Sequence, residues 1–336
     1  MAIGLILTTG TARGNVDLAM RAEAAGFDSV FSIEFFNQNG FAVLGAIAQA
    51  TERIRLGTGI ANAFTRSPTL HASAALDLDE LSEGRMILGL GSGTRRMNER
   101  WFAVPFSRPA ARMKELVRLL QQLFASTGGG GFRFDGEFWS IDIPIYARPG
   151  AARPTLPVWV AGVNVGMMGA AGAVADAMVG HPVATRRWHR ECTLPTLRRA
   201  EDLAGRAAGS CRLAPYVLTS IQPDAGQARR DAKQQIGFYY TTALYHSILR
   251  HHGLEEVGAA CRAALGRFDI RAMADAIPDA LIDEIAITGT PDEARQQLDL
   301  WKDLTDEPLL YAPTVGVPPD RIRWNLDATL DVFGTG

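Results

Sequence analysis

The chain alternates between short apolar runs and longer segments in which apolar positions recur every three or four residues. Apolar runs at 3–7, 28–33, 54–60 and 85–91 predict buried β-strands. The segments between them, such as 15–26, have the spacing of amphipathic helices. Since a helix separates each pair of strands, the strands must be parallel and joined by helical crossovers.

The same alternation continues through the second half of the chain. Four further strands are predicted at 156–162, 176–181, 211–221 and 308–316. Eight such units in 336 residues predict an α/β fold, a (β/α)8 TIM barrel formed by one domain over 1–336. We expect insertions after strand 4, at about 127–150, and after strand 7, at about 224–283. An open doubly wound sheet is the alternative, but the unbroken series of units favours the barrel.

Glycines, hydroxyls and amides dominate the ends of the predicted strands, where a TIM barrel carries its chemistry. Strand 3 ends in "LGTGIANAF", strand 4 in "LGLGSGT" and strand 5 in "AGVNVG". Such backbone-rich ends suit a flat ligand that hydrogen-bonds, and glycines before a helix either form a phosphate cradle or satisfy a tight turn. Glu34 and His181 are the candidate proton-transfer residues. The alternatives are an ion-paired or helix-capping Glu34 and a His181 that only packs beside Pro182.

Composition and charge exclude several classes of protein. The net charge of -2 provides no concentrated basic surface, so we expect no nucleic-acid partner. No apolar run approaches 18 residues and no signal peptide begins the chain, so we expect no membrane span. The three cysteines form no C-x-x-C pattern, and acidic and histidine pairs are not clustered. We therefore predict no metal site and a cytoplasmic location.

Long stretches of the chain resemble one known group of proteins. The segments "AGFDSVFSIE", "RIRLGTGIANAFTRSPTLHASAALDLDELSEGRMILGLGSG" and "LPVWVAGVNVGMMGAAGAVADAMVGHP" are similar to the bacterial luciferase-like superfamily. More narrowly, they resemble its coenzyme F420-dependent oxidoreductases, and the similarity covers nearly the whole chain. The resemblance implies a TIM barrel that holds a deazaflavin ring at the carboxyl ends of its strands. A hydride would pass between that ring and a small organic substrate, with reduction favoured, in a homodimer.

The resemblance also assigns positions to the cofactor. It implies a bulge with a non-prolyl cis peptide at Gly59–Ile60 that backs the ring, an acidic residue near the ring at Glu34, and a polar contact from Asn62. The remaining expected cofactor contacts are Ser92, Gly93 and Thr94 along the ligand's side chain, and Gly162, Val163, Asn164, Val165 and Gly166 around its phosphate.

Two departures from the pattern narrow the expected chemistry. Several deazaflavin-dependent sugar-phosphate dehydrogenases have histidine where this chain has Phe35, and glutamate where it has Thr94. We therefore do not expect sugar oxidation. Phe35 and Phe36 suggest a more apolar substrate pocket, and the possible walls are Trp101, Phe102, Phe238 and Tyr239. An FMN-dependent monooxygenase and a non-catalytic flavin-binding relative are the alternative functions.

Overall fold

The apolar runs form a closed barrel in the computed structural model, which describes residues 1–335. The strands are β1 (Gly4–Leu7), β2 (Ser29–Ser32), β3 (Arg55–Thr58), β4 (Ala61–Asn62), β5 (Met86–Gly91), β6 (Phe132–Asp135), β7 (Ser140–Ile143), β8 (Val158–Gly162), β9 (Ala177–Gly180), β10 (Arg212–Ile221), β11 (Ala286–Gly289) and β12 (Leu309–Tyr311). Around the barrel the order is β1, β2, β3 with β4, β5, β8, β9, β10 and β12, and β12 pairs with β1 in parallel. The predicted TIM barrel is confirmed.

Helices surround the barrel and return the chain from one strand to the next. They are α1 (Ala12–Ala24), α2 (Gly40–Ala50), α3 (Pro68–Leu81), α4 (Pro109–Ala125), α5 (Val165–Val174), α6 (Arg186–Trp188), α7 (Leu194–Leu203), α8 (Ala225–Tyr240), α9 (His246–His251), α10 (Glu255–Gly266), α11 (Ile270–Asp275), α12 (Asp279–Ile285), α13 (Pro291–Leu298) and α14 (Pro319–Phe333). Their starts follow local sequence signals. Ser67 caps α3 ahead of Pro68, and Thr290 forms a capping box with Glu293 before α13.

The chain carries additional elements at two places in the barrel. Between β5 and β8 lie α4 and the antiparallel hairpin of β6 and β7, in which Phe132 pairs with Ile143. Between β10 and β12 lie five helices, α8 to α12, followed by β11 and α13. Within residues 1–335, no helix combines the length and the apolarity needed to cross a lipid bilayer.

Strand β11 is an element that the sequence pattern did not predict. The ten-residue β10 pairs with β9 through 212–215 and with β11 through 218–221, while β12 occupies its other edge. Since β9 is short, β11 continues the sheet along the same edge of β10. It has only four residues and begins directly after the last residue of α12, so no loop marks its start.

The barrel interior is packed with large side chains. Phe31 on β2 and Trp159 on β8 are both fully buried, with ring centroids 5.2 Å apart. Since β2 and β8 are not neighbouring strands, these rings meet across the interior. At the amino ends of the strands, the buried Glu307 carboxylate accepts hydrogen bonds from Ser29 Oγ at 2.6 Å and Arg55 Nη2 at 2.7 Å. The opposite, carboxyl end is therefore the end available for a ligand site.

Candidate functional site

Strand 3 is interrupted by a bulge at its carboxyl end. Leu56 and Gly57 pair with Met86 and Ile87 of β5, whereas after the interruption Ala61 pairs with Leu90. Three residues, 58–60, therefore lie opposite two, 88–89, which is the arrangement of a β-bulge. The peptide bond between residues 59 and 60 is cis, as the resemblance implied.

The bulge needs glycines on both strands. A Cβ at Gly59 would lie 2.8 Å from Phe31 Cβ and 2.8 Å from the Tyr216 hydroxyl, which is closer than Cβ atoms ordinarily approach. On β5, a Cβ at Gly89 would overlap the carbonyl oxygen of Thr58, and one at Gly91 would overlap the Ile60 side chain. The glycines therefore let the two strands approach each other. Packing alone explains why glycines occur at these positions, whether or not a ligand also contacts them.

Glu34 joins the end of strand 2 to the segment after the bulge. Its Oε1 accepts hydrogen bonds from Arg66 Nη1 at 2.5 Å and from the Asn62 backbone N–H at 3.2 Å. The Glu34 side chain is 6% exposed and that of Arg66 is 26% exposed. Glu34 Oε2 is also buried and has no hydrogen-bond partner within residues 1–335. Glu34 is therefore ion-paired, which was one of the alternatives drawn from the sequence. Its Oε2 atom remains available to accept a hydrogen bond.

Sequence reasoning missed the pairing of Arg66 with Glu34. Arg66 also lies over the Phe41 ring, with Cζ 4.8 Å from the centroid. The signal was present, since an arginine four residues after Asn62 in a loop at a barrel end is a natural partner for a buried carboxylate at the end of the neighbouring strand.

The residues after β5 form a tight polar turn. Gly93 has a φ of +61°, and a Cβ there would come within 3.7 Å of Asn62 Oδ1, so the turn lies beside the end of β4. Ser92 Oγ donates to the Gly93 carbonyl at 3.2 Å, and Thr94 Oγ1 accepts from the Met97 N–H at 3.2 Å. Thr94 therefore supports the π-helical turn that follows, Met97–Trp101.

The loop after β8 leads directly into helix α5. Asn164 is the N-cap, and its Oδ1 accepts a hydrogen bond from the Met167 N–H at 3.0 Å. Val165 is 65% exposed and Gly166 is exposed, whereas Gly162 is buried. The helix amino terminus thus faces solvent with its first turn capped by one side chain, an arrangement suited to an anion.

His181 lies at the end of β9 among tyrosines. Its ring centroid is 4.3 Å from that of Tyr245 and 4.8 Å from that of Tyr239. Burial lowers the pKa of His181 to about 3, so the imidazole is neutral at physiological pH. Its Nδ1 accepts from the Val183 N–H at 3.4 Å, which places the ring hydrogen on Nε2.

Two more tyrosines complete this side of the barrel mouth, and sequence reasoning missed both. Tyr311 shares a hydrogen bond with Tyr239 at 2.9 Å between their hydroxyl oxygens. Tyr216 donates its hydroxyl hydrogen to the Gly59 carbonyl, across the barrel from β10 to β3. Burial raises the pKa of both Tyr216 and Tyr311. A tyrosine inside a buried strand needs a polar partner, which was the available signal.

The predicted residues occupy one continuous arc of the barrel mouth. Glu34 follows β2, 59–62 spans β3 and β4, 92–94 follows β5, 162–166 follows β8 and His181 follows β9. These strands are neighbours in the same order around the sheet. We call the part formed by Gly59, Ile60, Asn62, Gly89, Gly91 and Gly93 the glycine-rich side. The aromatic side is formed by His181, Tyr216, Tyr239, Tyr245 and Tyr311.

An aromatic cluster lies at the end of strand 2. The rings of Phe35 and Phe36 are 4.7 Å apart, and each is 5.5 Å from the Trp101 ring. Phe36 is 61% exposed and Trp101 is 45% exposed. The structure therefore brings Trp101, one of the suggested wall residues, together with Phe35 and Phe36, whereas the ring contacts of Phe238 and Tyr239 lie with the aromatic side.

Two open clefts lie beside this end of the barrel. One, of about 560 Å³, lies between α1 and α2, and the other, of about 630 Å³, is lined by residues that include Thr8, Tyr311 and Thr314. Neither cleft is lined by the predicted cofactor residues. Within residues 1–335, the arc contains the partnerless Glu34 Oε2 beside the glycine-rich strand ends, whereas the second cleft contains the partnerless Thr8 Oγ1. Within residues 1–335, no group of three or more acidic, histidine or cysteine side chains is arranged to hold a metal ion.

The fold and the arc of strand ends define a (β/α)8-barrel protein whose ligand groups are mainly backbone, amide and hydroxyl. The luciferase-like monooxygenase family model matches residues 3–307. The chain therefore belongs to the luciferase-like monooxygenase family. It is an oxidoreductase of that family, and its resemblance to the F420-dependent branch is confirmed.

Individual relatives place the chain within the family. An uncharacterized protein of Mycobacterium tuberculosis is 32% identical over 282 residues, which cover 82% of this chain and 83% of the relative. The 5,10-methylenetetrahydromethanopterin reductase of Archaeoglobus fulgidus is 28% identical, covering 83% and 82%. The structure of the coenzyme F420-dependent tetrahydromethanopterin reductase from Methanopyrus kandleri has a TM-score of 0.80 at 22% identity, covering 97% of both chains. At that identity, the structural likeness supports the fold alone.

Proposed function

We propose that the chain is an F420-dependent oxidoreductase that transfers a hydride between the deazaflavin ring and a small organic substrate, acting as a reductase. The observation that carries the proposal is the bulge at Gly59–Ile60 with Glu34 and Asn62 beside it, because it combines bare backbone with one unsatisfied acceptor. A Mycobacterium tuberculosis relative named as a putative coenzyme F420-dependent oxidoreductase, which is 28% identical to this chain, supports it.

The residues of the arc fit a deazaflavin cofactor. Glu34 Oε2 is a buried acceptor without a partner within residues 1–335, so a donor on a ligand ring would satisfy it. Gly59 and Gly93 leave backbone atoms without side chains at the bulge and at the neighbouring turn, where a flat ring would lie. The capped amino terminus of α5 at Asn164 would hold the phosphate, because helix amino termini favour anions. When bound, the ring supplies the hydride.

The proposed roles of Glu34 and His181 follow from their contacts. Glu34 is ion-paired with Arg66 through Oε1, and its partnerless Oε2 would accept a hydrogen bond or a proton from the bound ligands. His181 is neutral, so its Nε2–H would hold an oxygen or nitrogen atom of the substrate as a hydrogen-bond donor. A neutral imidazole is a poor proton donor. We therefore propose that the hydrogen bond from His181 stabilises the negative charge that develops on that substrate atom.

The aromatic cluster of Phe35, Phe36 and Trp101 would form an apolar part of the substrate pocket. Its position at the end of strand 2 is next to the proposed ring site, since Phe35 directly follows Glu34. We propose that unsaturated carbonyl compounds and imines are the substrates, because their reduction needs a hydride and a polarising hydrogen bond on one atom.

Anaerobic mixing of reduced F420 with a panel of such compounds tests the proposal. We expect the visible absorbance of oxidised F420 to appear only with enzyme and acceptor together. Glu34→Gln should slow this reaction by on the order of 10²-fold, because it removes a charged group beside the ring. Arg66→Lys, which keeps the charge pair, serves as the matched control and should retain more of the rate.

A parallel assay in air distinguishes the alternatives. Enzyme-dependent insertion of oxygen into a substrate with reduced FMN, and no reaction of reduced F420 with any acceptor, would favour an FMN-dependent monooxygenase. Binding of F420 without turnover of any compound would favour a non-catalytic flavin-binding relative.

We also propose a cytoplasmic homodimer. The location is supported by three free cysteines, Cys192, Cys211 and Cys261, which fit a reducing compartment. Exposed apolar side chains on the outer helices, such as Leu203 at 78% exposure, are available for a subunit contact. Sedimentation of the purified chain would measure the state directly.

A further inference from the structure

Two helical segments outside the strand ends bring a thiol, an imidazole and a carboxylate together. Glu191 and Cys192 lie on the π-helical turn His189–Thr193 between α6 and α7, and His251 is the last residue of α9. His251 Nδ1 is 3.8 Å from Cys192 Sγ, and His251 Nε2 is 2.8 Å from Glu191 Oε2. One imidazole thus links two neighbouring side chains that are 59 and 60 residues away in sequence.

The hydrogen bonds fix the direction in which a proton can move. The Glu191 carboxylate accepts only, so the hydrogen of His251 is on Nε2. His251 Nδ1 then carries a free lone pair that faces the Cys192 thiol. A nucleophile, a base and a group that orients the base are thereby arranged in series, as in activated thiol and hydroxyl sites. The Sγ···Nδ1 distance is long, as such contacts often are before a reactant binds.

The surrounding side chains hold this arrangement. Arg187 Nε donates to Glu191 Oε2 at 3.0 Å, and this hydrogen bond lowers the pKa of the Glu191 carboxyl. Glu191 is therefore ionised at neutral pH, and it would stabilise the positive charge that forms on the His251 ring when Nδ1 accepts the thiol proton. The Trp188 ring packs against the His251 ring edge-on at 5.3 Å. The neighbouring His252 is occupied by a 2.8 Å hydrogen bond with Thr185 Oγ1.

Cys192 differs from the other two cysteines in having a base. Burial, with a smaller contribution from the Glu191 charge, raises the pKa of the Cys192 thiol. The thiol is therefore protonated at neutral pH and depends on His251 to accept its proton. Cys211 and Cys261 are fully buried, and their Sγ atoms contact only backbone carbonyl oxygens among the hydrogen-bonding groups of residues 1–335.

We propose that Cys192, His251 and Glu191 form a thiol-modification site at which Cys192 exchanges with the disulfides of small thiols. The half-buried position of Cys192 leaves its sulfur reachable by a small molecule, whereas Cys211 and Cys261 are not. The site lies outside the arc of strand ends and does not depend on the proposed cofactor.

The exchange balances without any further reactant. The Cys192 Sγ–H proton passes to His251 Nδ1 as Sγ attacks one sulfur of the small disulfide, and the disulfide bond breaks. The departing thiolate takes the proton from His251. Cys192 is oxidised to a mixed disulfide, and one small thiol is released in its reduced form.

Reaction of the native full-length chain with 5,5′-dithiobis(2-nitrobenzoic acid), an aromatic disulfide, tests the site. The released thiolate is followed by its visible absorbance. We expect one fast equivalent in the native protein and three equivalents after denaturation, since the chain has three free cysteines. Cys192→Ser should abolish the fast phase, whereas Cys261→Ser should leave it unchanged.

Variants of the two supporting residues distinguish a base-assisted thiol from one that is merely exposed. His251→Gln should slow the fast phase at least about tenfold, because it removes the base. Glu191→Gln should also slow it, because the imidazolium loses its carboxylate. For a merely exposed thiol, Glu191→Gln would have the opposite effect and accelerate the reaction, since removing a negative charge favours the thiolate.

Thermal unfolding of each variant checks that the fold is kept, and peptide mass spectrometry identifies the modified cysteine. An accelerated reaction of Glu191→Gln, an unchanged rate for His251→Gln, or a fast phase that survives in Cys192→Ser would each overturn the proposal. None of these results depends on whether the chain uses F420.

Discussion

The glycine-rich side and the aromatic side of the barrel mouth are built by different means. On the glycine-rich side, strands β3 and β5 approach so closely that a Cβ at Gly89 would overlap the Thr58 carbonyl oxygen. On the aromatic side, rings fill the space, and hydroxyls such as those of Tyr239 and Tyr311 satisfy one another. Tyr216 connects the two, because its hydroxyl donates to the Gly59 carbonyl.

The difference shows how one ligand site can combine two functions. A surface of backbone atoms presents a flat, fixed contact, because it has no side chains to reorganise. A surface of neutral hydrogen-bonding rings can be changed residue by residue without altering the barrel. We therefore expect the glycine-rich side to determine cofactor binding and folding, and the aromatic side to determine substrate choice and the response to pH.

The largest effect of a substitution at neutral pH is expected from Gly89→Ala. Its Cβ would meet the backbone carbonyl of Thr58, which cannot move as the end of a side chain can, so the free energy of unfolding should fall by about 3 kcal/mol. Gly169→Ala in α5 is the matched control, since a Cβ there has no neighbour within 4 Å. That control should be neutral or slightly stabilising, by about 0.5 kcal/mol. Urea unfolding measures the free energy of unfolding of both variants. An equal change in the two variants would contradict the close approach of the strands.

Acid should destabilise the protein through two buried histidines: His181, which belongs to the aromatic side, and His189, which packs beside Gly180 on β9. Burial lowers the pKa of both His181 and His189 to about 3 from an ordinary 6.5. Between these values the unfolded chain binds protons that the folded chain does not, so stability is full above pH 6.5 and is lost as the pH falls toward 3. We expect the free energy of unfolding, measured by urea titration across this range, to decrease steadily.

His189→Gln sharpens the acid prediction. His189 is 1% exposed, and its ring packs beside Gly180 on β9, outside the proposed ligand groups. The variant should therefore take up fewer protons on unfolding, by up to one between pH 6.5 and 3. Its free energy of unfolding should depend less steeply on pH over this range. An unchanged slope would mean that this imidazole is not held neutral in the folded protein.

Tyr216→Phe should have a smaller effect on stability but a specific one on the bulge. It leaves the Gly59 carbonyl without its donor, at a cost of about 1–2 kcal/mol. Tyr245→Phe is the control, because no hydrogen bond of that hydroxyl is found within residues 1–335. The midpoint temperature of thermal unfolding and the affinity for the cofactor should both decrease for Tyr216→Phe and should stay unchanged for Tyr245→Phe. Equal results for the two variants would show that the link across the barrel is unimportant.

The smallest effect is expected at the helix amino terminus. Asn164→Ala removes the cap of α5 and should cost about 1 kcal/mol of stability. Ser67→Ala removes the cap of α3, away from the proposed phosphate contact, and should cost a similar amount. Only Asn164→Ala should also weaken cofactor binding in an equilibrium titration. Equal affinities would argue against a phosphate at α5.

The two sides also differ in how much of them could be predicted from the sequence. Each strand end on the glycine-rich side is encoded by residues a few positions apart, so "LGTGIANAF" and "LGLGSGT" indicate both strand ends, whereas the bulge was expected only from the family resemblance. The aromatic side joins residues from 181 to 311, and nothing in the local pattern of Tyr216 shows that its partner is 157 residues away. The pairing of Glu34 with Arg66 was missed although both residues follow neighbouring predicted strands, because the path of the loop after the bulge decides whether they meet.

Titration of the protein's intrinsic fluorescence with F420, and separately with FMN, tests the central claim most directly. If the glycine-rich side backs a deazaflavin ring, F420 should quench the fluorescence with a dissociation constant that is micromolar or tighter, and FMN should bind more weakly. Tighter binding of FMN, or no saturable binding of F420, would contradict the account.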